Sequence, residues 1–223
     1  MSARKLVVFD VDGTLIDSQD HILAAMAAGF AGAGHPLPPR EAILSIVGLS
    51  LPQAVARLVP DLSKDDQVRI TDGHKSAFGT LRAQSHSPLF PGASVALADL
   101  AARPDVRLGI ATGKSRRGLT HVLAAHGLSG AFATTQVADD HPSKPDPAML
   151  HAALAETGTA PERAVMIGDT VFDIEMARAA GVAAIGVGWG YHPAANLAAA
   201  GAAAVIGTFA ELGVALDGLW GTA

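Results

Sequence analysis

The sequence contains no cysteine, which excludes disulfide bonds and thiolate metal ligands. It also has no long run of like charge, and the nearest approach is the short basic segment at residues 114–117. No apolar stretch reaches membrane-spanning length without a glycine, a proline or a charged residue. The first apolar run, residues 6–9, is too short to be the core of a signal peptide. We therefore expect a cytoplasmic protein that has no membrane partner.

The chain has 223 residues, a formal net charge of -5 and 49% hydrophobic residues. This length and apolar content suit one sizeable domain, or a core domain with a modest insertion. The mild acidity argues against a nucleic-acid partner, because binding a phosphate backbone needs clustered lysine and arginine. The sequence does not determine the oligomeric state, and we expect a monomer or a homodimer.

Short apolar runs rich in β-forming residues recur along the chain and are typical of buried parallel strands. Helical patterns lie between them. The first begins at the N-cap candidate Ser115 and ends at Gly127, the second begins at Pro147, and the third covers about 171–180. This alternation predicts an α/β fold with a doubly wound parallel sheet. The predicted strands are residues 6–9, 106–111, 164–167 and 182–187, with a weaker one at 203–206.

The segment from about residue 17 to residue 87 breaks that alternation and contains no convincing strand. Ile22, Met26 and Phe30 fall on one helical face. A second apolar face follows residues 50–52, and Ser63 resembles the start of a capping box for a further helix. We predict an all-helical insertion at residues 17–87 in an α/β core formed by residues 1–16 and 88–223.

Four polar signals stand out, and three of them come directly after a predicted strand. In an open α/β sheet, ligands bind beyond the carboxyl ends of the strands, so we expect the four signals to meet there. The signals are the run from Asp10 to Leu15, Thr112 with Gly113, Lys144, and the run from Gly168 to Asp173.

Asp10, Asp12, Asp169 and Asp173 would place up to four carboxylates in one pocket. Such crowding raises pKa values or strains the fold unless a cation compensates. Oxygen ligands favour a hard ion, and Mg²⁺ binds through few carboxylates together with waters and substrate phosphate. Carboxylates, Mg²⁺, a lysine and a hydroxyl together suit a phosphoryl group, whose oxygens need charge neutralisation.

These residues resemble the four sequence motifs of the haloacid dehalogenase-like (HAD) hydrolase superfamily. More closely, the chain is similar to the phosphoglycolate phosphatase-like branch, which has a Rossmann-like core and a helical cap. The resemblance extends from Lys5 to about Leu212. It implies a phosphatase that hydrolyses small phosphorylated metabolites, with phosphoglycolate as the default substrate.

The same resemblance implies a role for each motif residue. Asp10 would be the nucleophile that becomes an aspartyl phosphate, and Asp12 the general acid and then the general base. Mg²⁺ would be held by Asp10, the backbone carbonyl of Asp12 and Asp169, with Asp173 supporting it indirectly or through water.

The phosphate group would be held by Thr112 and Lys144, and backbone N–H groups near Gly113 would complete its cradle. In similar caps, the turn at Gly48, Leu49 and Ser50 points at the substrate. The alternative is an ordinary helix–helix turn with Ser50 as its N-cap.

Several other residues are open to both a functional and a structural interpretation. His21 could touch the substrate, although a solvated or hydrogen-bonded histidine is the favoured interpretation. Lys114, Arg116 and Arg117 could attract an anion or could form a helix surface. Residues 189–192 follow a predicted strand and could line the rim of the site, although packing is the safer interpretation.

Rival functions use the same residues in different ways. A dehalogenase needs neither Asp12 nor Mg²⁺, and a phosphonatase needs an active-site lysine in the cap, which nothing in the sequence marks. A sugar phosphomutase stays open, because it shares the core chemistry and differs only in the acceptor. A non-catalytic regulator that binds a phosphorylated ligand is the alternative outside enzymes.

Overall fold

The computed structural model describes residues 4–221, which form a parallel six-stranded sheet with helices on both faces. The strand order is β3-β2-β1-β4-β5-β6, so the chain starts near the middle of the sheet and winds outward in both directions. The strands are β1 (Lys5–Phe9), β2 (Val106–Thr112), β3 (Thr134–Val137), β4 (Ala164–Gly168), β5 (Ala183–Val187) and β6 (Ala204–Ile206). The predicted α/β doubly wound fold is confirmed.

Six helices accompany the strands after residue 90. They are α5 (Ala93–Ala101), α6 (Arg116–Ala125), α7 (Ala148–Thr157), α8 (Val171–Ala179), α9 (Ala194–Ala200) and α10 (Leu212–Trp220). Ser115 caps α6 by accepting a hydrogen bond from the Gly118 N–H, as its sequence position predicts. Helices α5, α9 and α10 were not predicted from the sequence pattern.

Alternate residues of β1 enter two different apolar cores, one on each face of the sheet. Val7 and Phe9 pack into one core, and Leu6 and Val8 pack into the other. All four are fully buried. Burying a side chain of this size contributes about 1.5–3 kcal/mol, so β1 is anchored from both sides. The residue that follows it is therefore held in a fixed position.

Strand β3 was missed in the sequence analysis. Its residues read Thr-Thr-Gln-Val, so it lacks the continuous apolar run by which the other strands were found. It lies at the edge of the sheet and pairs only with β2 among the described strands. An edge strand buries less surface, so polar residues are tolerated there.

Between β1 and α5 the chain forms four helices and no strand pairing within a sheet. They are α1 (Gln19–Ala33), α2 (Arg40–Leu44), α3 (Leu51–Leu58) and α4 (Lys64–Gln84). Ile22, Met26 and Phe30 enter a third apolar cluster shared by these helices, to which Phe172 of α8 also belongs. Whether residues 17–87 form a separate domain stays a prediction.

Two glycines allow α1 and α4 to pack closely. A Cβ atom on Gly29 would lie 2.6 Å from the Ile70 carbonyl oxygen, and one on Gly73 would lie 2.9 Å from the Gly29 Cα. Any side chain at these two positions would push the helices apart. Within residues 4–221, no helix is both long and apolar enough to cross a lipid bilayer.

Candidate active site

The four polar signals meet beyond the carboxyl ends of the strands, in loops that follow four neighbouring strands. Asp10 follows β1, Thr112 ends β2, and Asp169 follows β4. Lys144 lies in the loop between β3 and α7, so the strand missed in the sequence analysis is the one that carries the lysine loop. Because β3, β2, β1 and β4 are adjacent, these loops share one crevice.

Lys144 is completely buried and contacts two carboxylates. Its Nζ lies 3.0 Å from Asp10 Oδ1 and 2.6 Å from Asp173 Oδ1. Burial alone would lower the pKa of Lys144, but the charges of Asp10 and Asp173 outweigh it and raise this pKa above its ordinary value. The lysine is therefore a fixed positive charge inside the site.

Asp10, Asp169 and Asp173 form a buried cluster in which one oxygen of each lies within 4.8 Å of the others. Burial raises the pKa of Asp10 from 3.8 to about 7, against the lowering effect of the Lys144 charge. Burial, followed by the charges of Asp173 and Asp10, raises the pKa of Asp169 well above its ordinary value. One ammonium group is therefore not enough to hold the pKa values of Asp10 and Asp169 at their ordinary level.

The Asp169 and Asp173 side chains are held in place by hydrogen bonds. Asp169 accepts one from the Thr14 hydroxyl at 3.0 Å and one from the Tyr191 N–H at 2.8 Å. Asp173 Oδ2 accepts from the N–H and the hydroxyl of Thr170, which forms a capping box at the start of α8. Asp173 therefore caps a helix and also pairs with Lys144.

Unlike Asp169 and Asp173, Asp10 is not held in place within the described chain by hydrogen bonds to its side chain. Among residues 4–221, no group donates a hydrogen bond to either of its carboxylate oxygens, although the residue is only 1% exposed. Its contact with Lys144, at 3.0 Å, is an ion pair. Buried polar atoms are nearly always satisfied, so two free oxygens beside two further carboxylates fit a divalent cation bound by oxygen ligands.

Two glycines let the chain approach Asp169 closely. Gly13 has φ 83°, and a Cβ atom there would lie 2.3 Å from Asp169 Oδ2. A Cβ atom on Gly190 would lie 2.1 Å from the Asp169 Cβ. No side chain fits at either position without moving this carboxylate.

The Asp12 side chain has its partners outside the acidic cluster. Its Oδ1 accepts a hydrogen bond from the Ser18 hydroxyl at 2.5 Å, and Lys114 Nζ lies 2.8 Å from each of its oxygens. The predicted metal contact of Asp12 is through its backbone carbonyl and stays a prediction. Its side chain faces a cavity beneath α1 and α4.

Thr112 and Gly113 close the floor of that cavity. Thr112 is 1% exposed, and its hydroxyl accepts a hydrogen bond from the Lys114 N–H at 3.2 Å. A Cβ atom on Gly113 would lie 2.6 Å from the carbonyl oxygens of Gly48 and Leu49. The turn at residues 48–50 therefore rests directly on the loop after β2.

The same turn contacts two further loops at the sheet edge. The Ser50 N–H donates a hydrogen bond to Ser143 Oγ at 2.7 Å. A Cβ atom on Gly48, whose φ is 99°, would lie 3.0 Å from Thr170 Oγ1. Gly48, Leu49 and Ser50 all line the cavity, and Ser50 also precedes α3 without making a side-chain cap bond.

The cavity has a volume of about 440 Å³, and Asp10 and Asp12 lie on its wall. Its apolar wall comes from α1, α3, α4 and the turn before α3, with Met26 and Phe78 among its residues. His74 stacks on Phe78 with ring centroids 5.7 Å apart, and burial lowers the pKa of His74 to about 4. This histidine is neutral at physiological pH.

Basic side chains also line the cavity, namely Lys75, Arg82, Lys114 and Arg117. The sequence is compatible with Lys114 on a helix surface, but its side chain is only 8% exposed and pairs with Asp12. Its position directly after Thr112 and Gly113, at the end of a predicted strand, is the feature of the sequence that indicates a place in the site.

Other candidates lie outside this cavity. The ring of His21 forms hydrogen bonds with Ser85 and Ser87, so the structural interpretation fits it. Arg116 contacts Asp140 and Thr135 on an exposed surface. Tyr191 was assigned to packing, but its N–H donates to Asp169 and its hydroxyl lies 3.2 Å from Ser18 Oγ.

Comparison with known proteins gives consistent matches over almost the whole chain. A family model described as haloacid dehalogenase-like hydrolase matches residues 7–187. A probable phosphatase, IndB, of Dickeya dadantii is 33% identical, over 94% of this chain and 92% of its own. A phosphoglycolate phosphatase of Rhodospirillum rubrum is also 33% identical, over 94% of this chain and 89% of its own. Among solved structures, a hydrolase from Pseudomonas syringae superposes with a TM-score of 0.85 at 26% identity, covering 96% of this chain and 99% of its own.

Proposed function

Because the chain belongs to the haloacid dehalogenase-like hydrolase family, we propose that it is a Mg²⁺-dependent phosphatase that hydrolyses small phosphate monoesters through Asp10. The observation that carries this proposal is the state of Asp10. Its carboxylate is buried, faces the cavity, accepts no hydrogen bond from residues 4–221 and lies 3.0 Å from a buried ammonium group. A nucleophile needs free oxygen lone pairs that are directed at its target.

Asp10 and Asp169 would hold the metal directly, the Asp12 backbone carbonyl would add a ligand, and Asp173 would support it indirectly. The bound metal would neutralise charge on the phosphoryl oxygens. With a pKa of about 7 in the absence of metal, Asp10 is partly protonated at neutral pH. A protonated carboxyl group is a poor nucleophile, so a nearby cation favours the reactive form.

The reaction would proceed in two displacements at phosphorus. First, an Asp10 oxygen forms a bond to phosphorus while the bond to the ester oxygen breaks, and Asp12 gives its proton to the departing alkoxide. A water molecule then gives a proton to Asp12 and its oxygen forms a bond to phosphorus, while the bond between phosphorus and the Asp10 oxygen breaks. Inorganic phosphate leaves, and the Asp10 carboxylate is restored. One acid–base group thus serves both steps, because each step leaves it in the form that the next one needs.

The phosphate group would be held by Lys144, the Thr112 hydroxyl and the N–H groups around Gly113. Lys144 is suited to this role because its pKa is raised and its ammonium group lies between Asp10 and Asp173. Oriented donors of this kind stabilise the charge that develops on the transferred group.

Helices α1–α4 would act as a cap that selects the leaving group and limits the access of water. The contacts of the turn at residues 48–50 with Gly113 and Ser143 support this role, because they close the cavity over Asp10. Excluding water strengthens the electrostatic interactions inside the site.

Phosphoglycolate is the default substrate by similarity, since several relatives carry the name phosphoglycolate phosphatase. A sugar phosphomutase would share the first displacement and would pass the phosphoryl group to a second sugar instead of water. A non-catalytic regulator would have no use for Asp12 as an acid and base.

The test is phosphate release from a generic aryl phosphate by the purified protein with Mg²⁺. We expect turnover, its loss in chelator with recovery when Mg²⁺ is restored, and no turnover in Asp10→Asn. Release by the wild type that does not exceed that of Asp10→Asn would reject the phosphatase, and activity that survives in chelator would reject the metal's role. A phosphomutase would release little phosphate unless it leaks to water, so isomerisation of a sugar phosphate would be measured in parallel.

A further inference from the structure

The loop after β5 contacts the site, although none of the four polar signals of the sequence lies in it. Trp189 Nε1 donates a hydrogen bond to the Thr14 carbonyl oxygen at 3.1 Å. The Tyr191 ring packs closely on the chain at Gly13, because a Cβ atom on that glycine would lie 2.6 Å from Tyr191 Cε2. This loop therefore rests on the segment that carries the proposed nucleophile.

Two parts of Tyr191 reach two different carboxylates. Its backbone N–H donates a hydrogen bond to Asp169 Oδ2 at 2.8 Å, and its hydroxyl lies 3.2 Å from Ser18 Oγ. The Ser18 hydroxyl in turn donates to Asp12 Oδ1 at 2.5 Å. The tyrosine thus contacts the acidic cluster through its main chain, and its side chain is connected to the proposed acid and base through one serine.

The direction of the hydrogen bond between Tyr191 and Ser18 follows from the protons that are available. A serine hydroxyl has one proton, and that of Ser18 is directed at Asp12. Tyr191 is therefore the donor to Ser18 Oγ. Burial, followed by the charge of Asp12, raises the pKa of the Tyr191 phenol above its ordinary value, so this donor keeps its proton.

Ser18 does not make the hydrogen bond that its position in the chain predicts. It is the N-cap residue of α1 and is only 1% exposed, yet its side chain makes no cap hydrogen bond to that helix. A serine at an N-cap usually accepts a bond from an N–H group of the first helical turn. The hydroxyl contacts Asp12 and Tyr191 instead, and such departures from local rules are expected at functional sites.

The contact with Ser18 also makes the two oxygens of Asp12 different from each other. Within residues 4–221, the Asp12 side chain accepts hydrogen bonds from Lys114 and Ser18. Lys114 Nζ lies 2.8 Å from each oxygen and does not distinguish between them. Because Ser18 donates to Oδ1 alone, Oδ2 is the oxygen that is left to carry a proton.

We propose that Tyr191 is a positioning residue for Asp12. Its hydroxyl holds Ser18 as a donor to Oδ1, which keeps the proton of the acid form on Oδ2, and from Oδ2 this proton passes to the departing ester oxygen. Without the tyrosine hydroxyl, Ser18 is free to turn and accept a hydrogen bond, and the proton of Asp12 can rest on Oδ1. Hydrogen bonds in a chain strengthen one another, so the tyrosine acts on Asp12 through the serine. This inference rests on the proposed phosphatase function and adds a residue to its proton-transfer step.

The experiment measures kcat/KM in the enzyme with Mg²⁺ for two esters of similar shape, 4-nitrophenyl phosphate and phenyl phosphate. Phenol needs a proton on its departing oxygen more than 4-nitrophenol does, because 4-nitrophenolate is the more stable anion. With a covalent intermediate, kcat/KM reports the first displacement, in which Asp12 acts as the acid. Tyr191→Phe should lower kcat/KM by about tenfold for phenyl phosphate and by less than about twofold for 4-nitrophenyl phosphate.

Trp189→Phe is the matched control, since it removes a hydrogen bond from the same loop without changing the contact with Ser18. Its ratio of the two kcat/KM values should stay within about twofold of the wild-type ratio. Because the ratio is measured on one preparation, a loss of folded protein does not change it. Tyr191→Phe keeps the backbone N–H that donates to Asp169, so its Mg²⁺ requirement should match that of the wild type.

Ser18→Ala tests whether the effect of Tyr191 passes through the serine. We expect this variant also to lower kcat/KM selectively for phenyl phosphate. In the Ser18→Ala background, Tyr191→Phe should lower that value by less than about a further twofold, because residues in one hydrogen-bond chain are not additive. Independent losses from the two changes would overturn the proposed chain.

A loss in Tyr191→Phe that is equal for the two esters, or larger for 4-nitrophenyl phosphate, would overturn the positioning role and leave the phosphatase intact. Wild-type rates for both esters in this variant would do the same. Failure of the wild type to release phosphate from either ester would reject the proposed function and this inference together.

Discussion

Replacing Asp10 with asparagine should stabilise the metal-free protein at high pH while it destroys the proposed nucleophile. Asparagine has nearly the shape of a protonated aspartic acid and carries no charge. The change therefore removes the ionisation of Asp10 from the folding equilibrium and leaves Lys144 paired with Asp173, whose oxygen lies 2.6 Å away. The effect of the substitution on stability should depend strongly on pH.

The size of this effect on stability follows from the pKa of Asp10, which rises from 3.8 to about 7 on folding because the group is buried. A raised carboxyl pKa means that the folded state binds the proton more tightly than the unfolded state. The contribution of Asp10 to stability is therefore fully present below pH 3.8 and is lost as the pH rises towards 7. At about 1.36 kcal/mol per pKa unit, the loss is about 2 kcal/mol at pH 5 and about 4 kcal/mol at pH 8.

The assay is urea unfolding in chelator at several pH values, followed by the fluorescence of Trp189 and Trp220. Asp10→Asn should exceed the wild type in unfolding free energy by an amount that grows by about 2–3 kcal/mol between pH 5 and pH 8. A difference that does not change with pH, or a wild type that is more stable than the variant at pH 8, would refute this reasoning.

Adding Mg²⁺ at pH 8 completes the experiment. A metal at 100 times its dissociation constant should stabilise the wild type by about 2.7 kcal/mol. The variant has lost one carboxylate ligand and should gain less. An equal gain in both proteins would place the metal away from Asp10.

Three further predictions concern other parts of the site. Asp12→Asn should lower kcat by roughly 100- to 10,000-fold with an unchanged fold, measured as phosphate release and circular dichroism, and a wild-type rate would remove Asp12 from the mechanism. In chelator at pH 8, Lys144→Met should cost about 3–5 kcal/mol in urea unfolding because it leaves buried carboxylates unpaired. The same change at Lys5, whose ion pair is partly exposed, should cost less than about 1 kcal/mol, and equal losses would contradict the argument. Gly113→Ala should lower the free energy of unfolding by about 1–3 kcal/mol and should lower kcat/KM, because the new Cβ meets carbonyl oxygens at 2.6 Å. As the control, Gly32→Ala places a Cβ with no atom within 4 Å and should be stabilising. Similar effects of both changes would show that the close contact at Gly113 is unimportant.

Much of the fold could be predicted because buried parallel strands must be apolar along their whole length. That rule found β1, β2, β4, β5 and β6, and it failed for β3, whose Thr-Thr-Gln-Val sequence suits a sheet edge. The ends of the predicted strands also brought Asp10, Thr112 and Asp169 to one edge of the sheet, since the carboxyl ends of parallel strands lie together.

The sequence by itself thus determined which residues lie at the strand ends and which chemistry their side chains can perform. Only the tertiary structure decided the partners of these residues. The ion pair between Asp12 and Lys114 joins positions 102 residues apart, and Arg82 of α4 comes near Lys114 in the loop after β2. Local periodicity records which face of an element is buried, but the distance between two charged side chains depends on how separate elements pack. For that reason the acidic cluster could be anticipated from the strand ends, and the pairing of Lys114 with Asp12 could not.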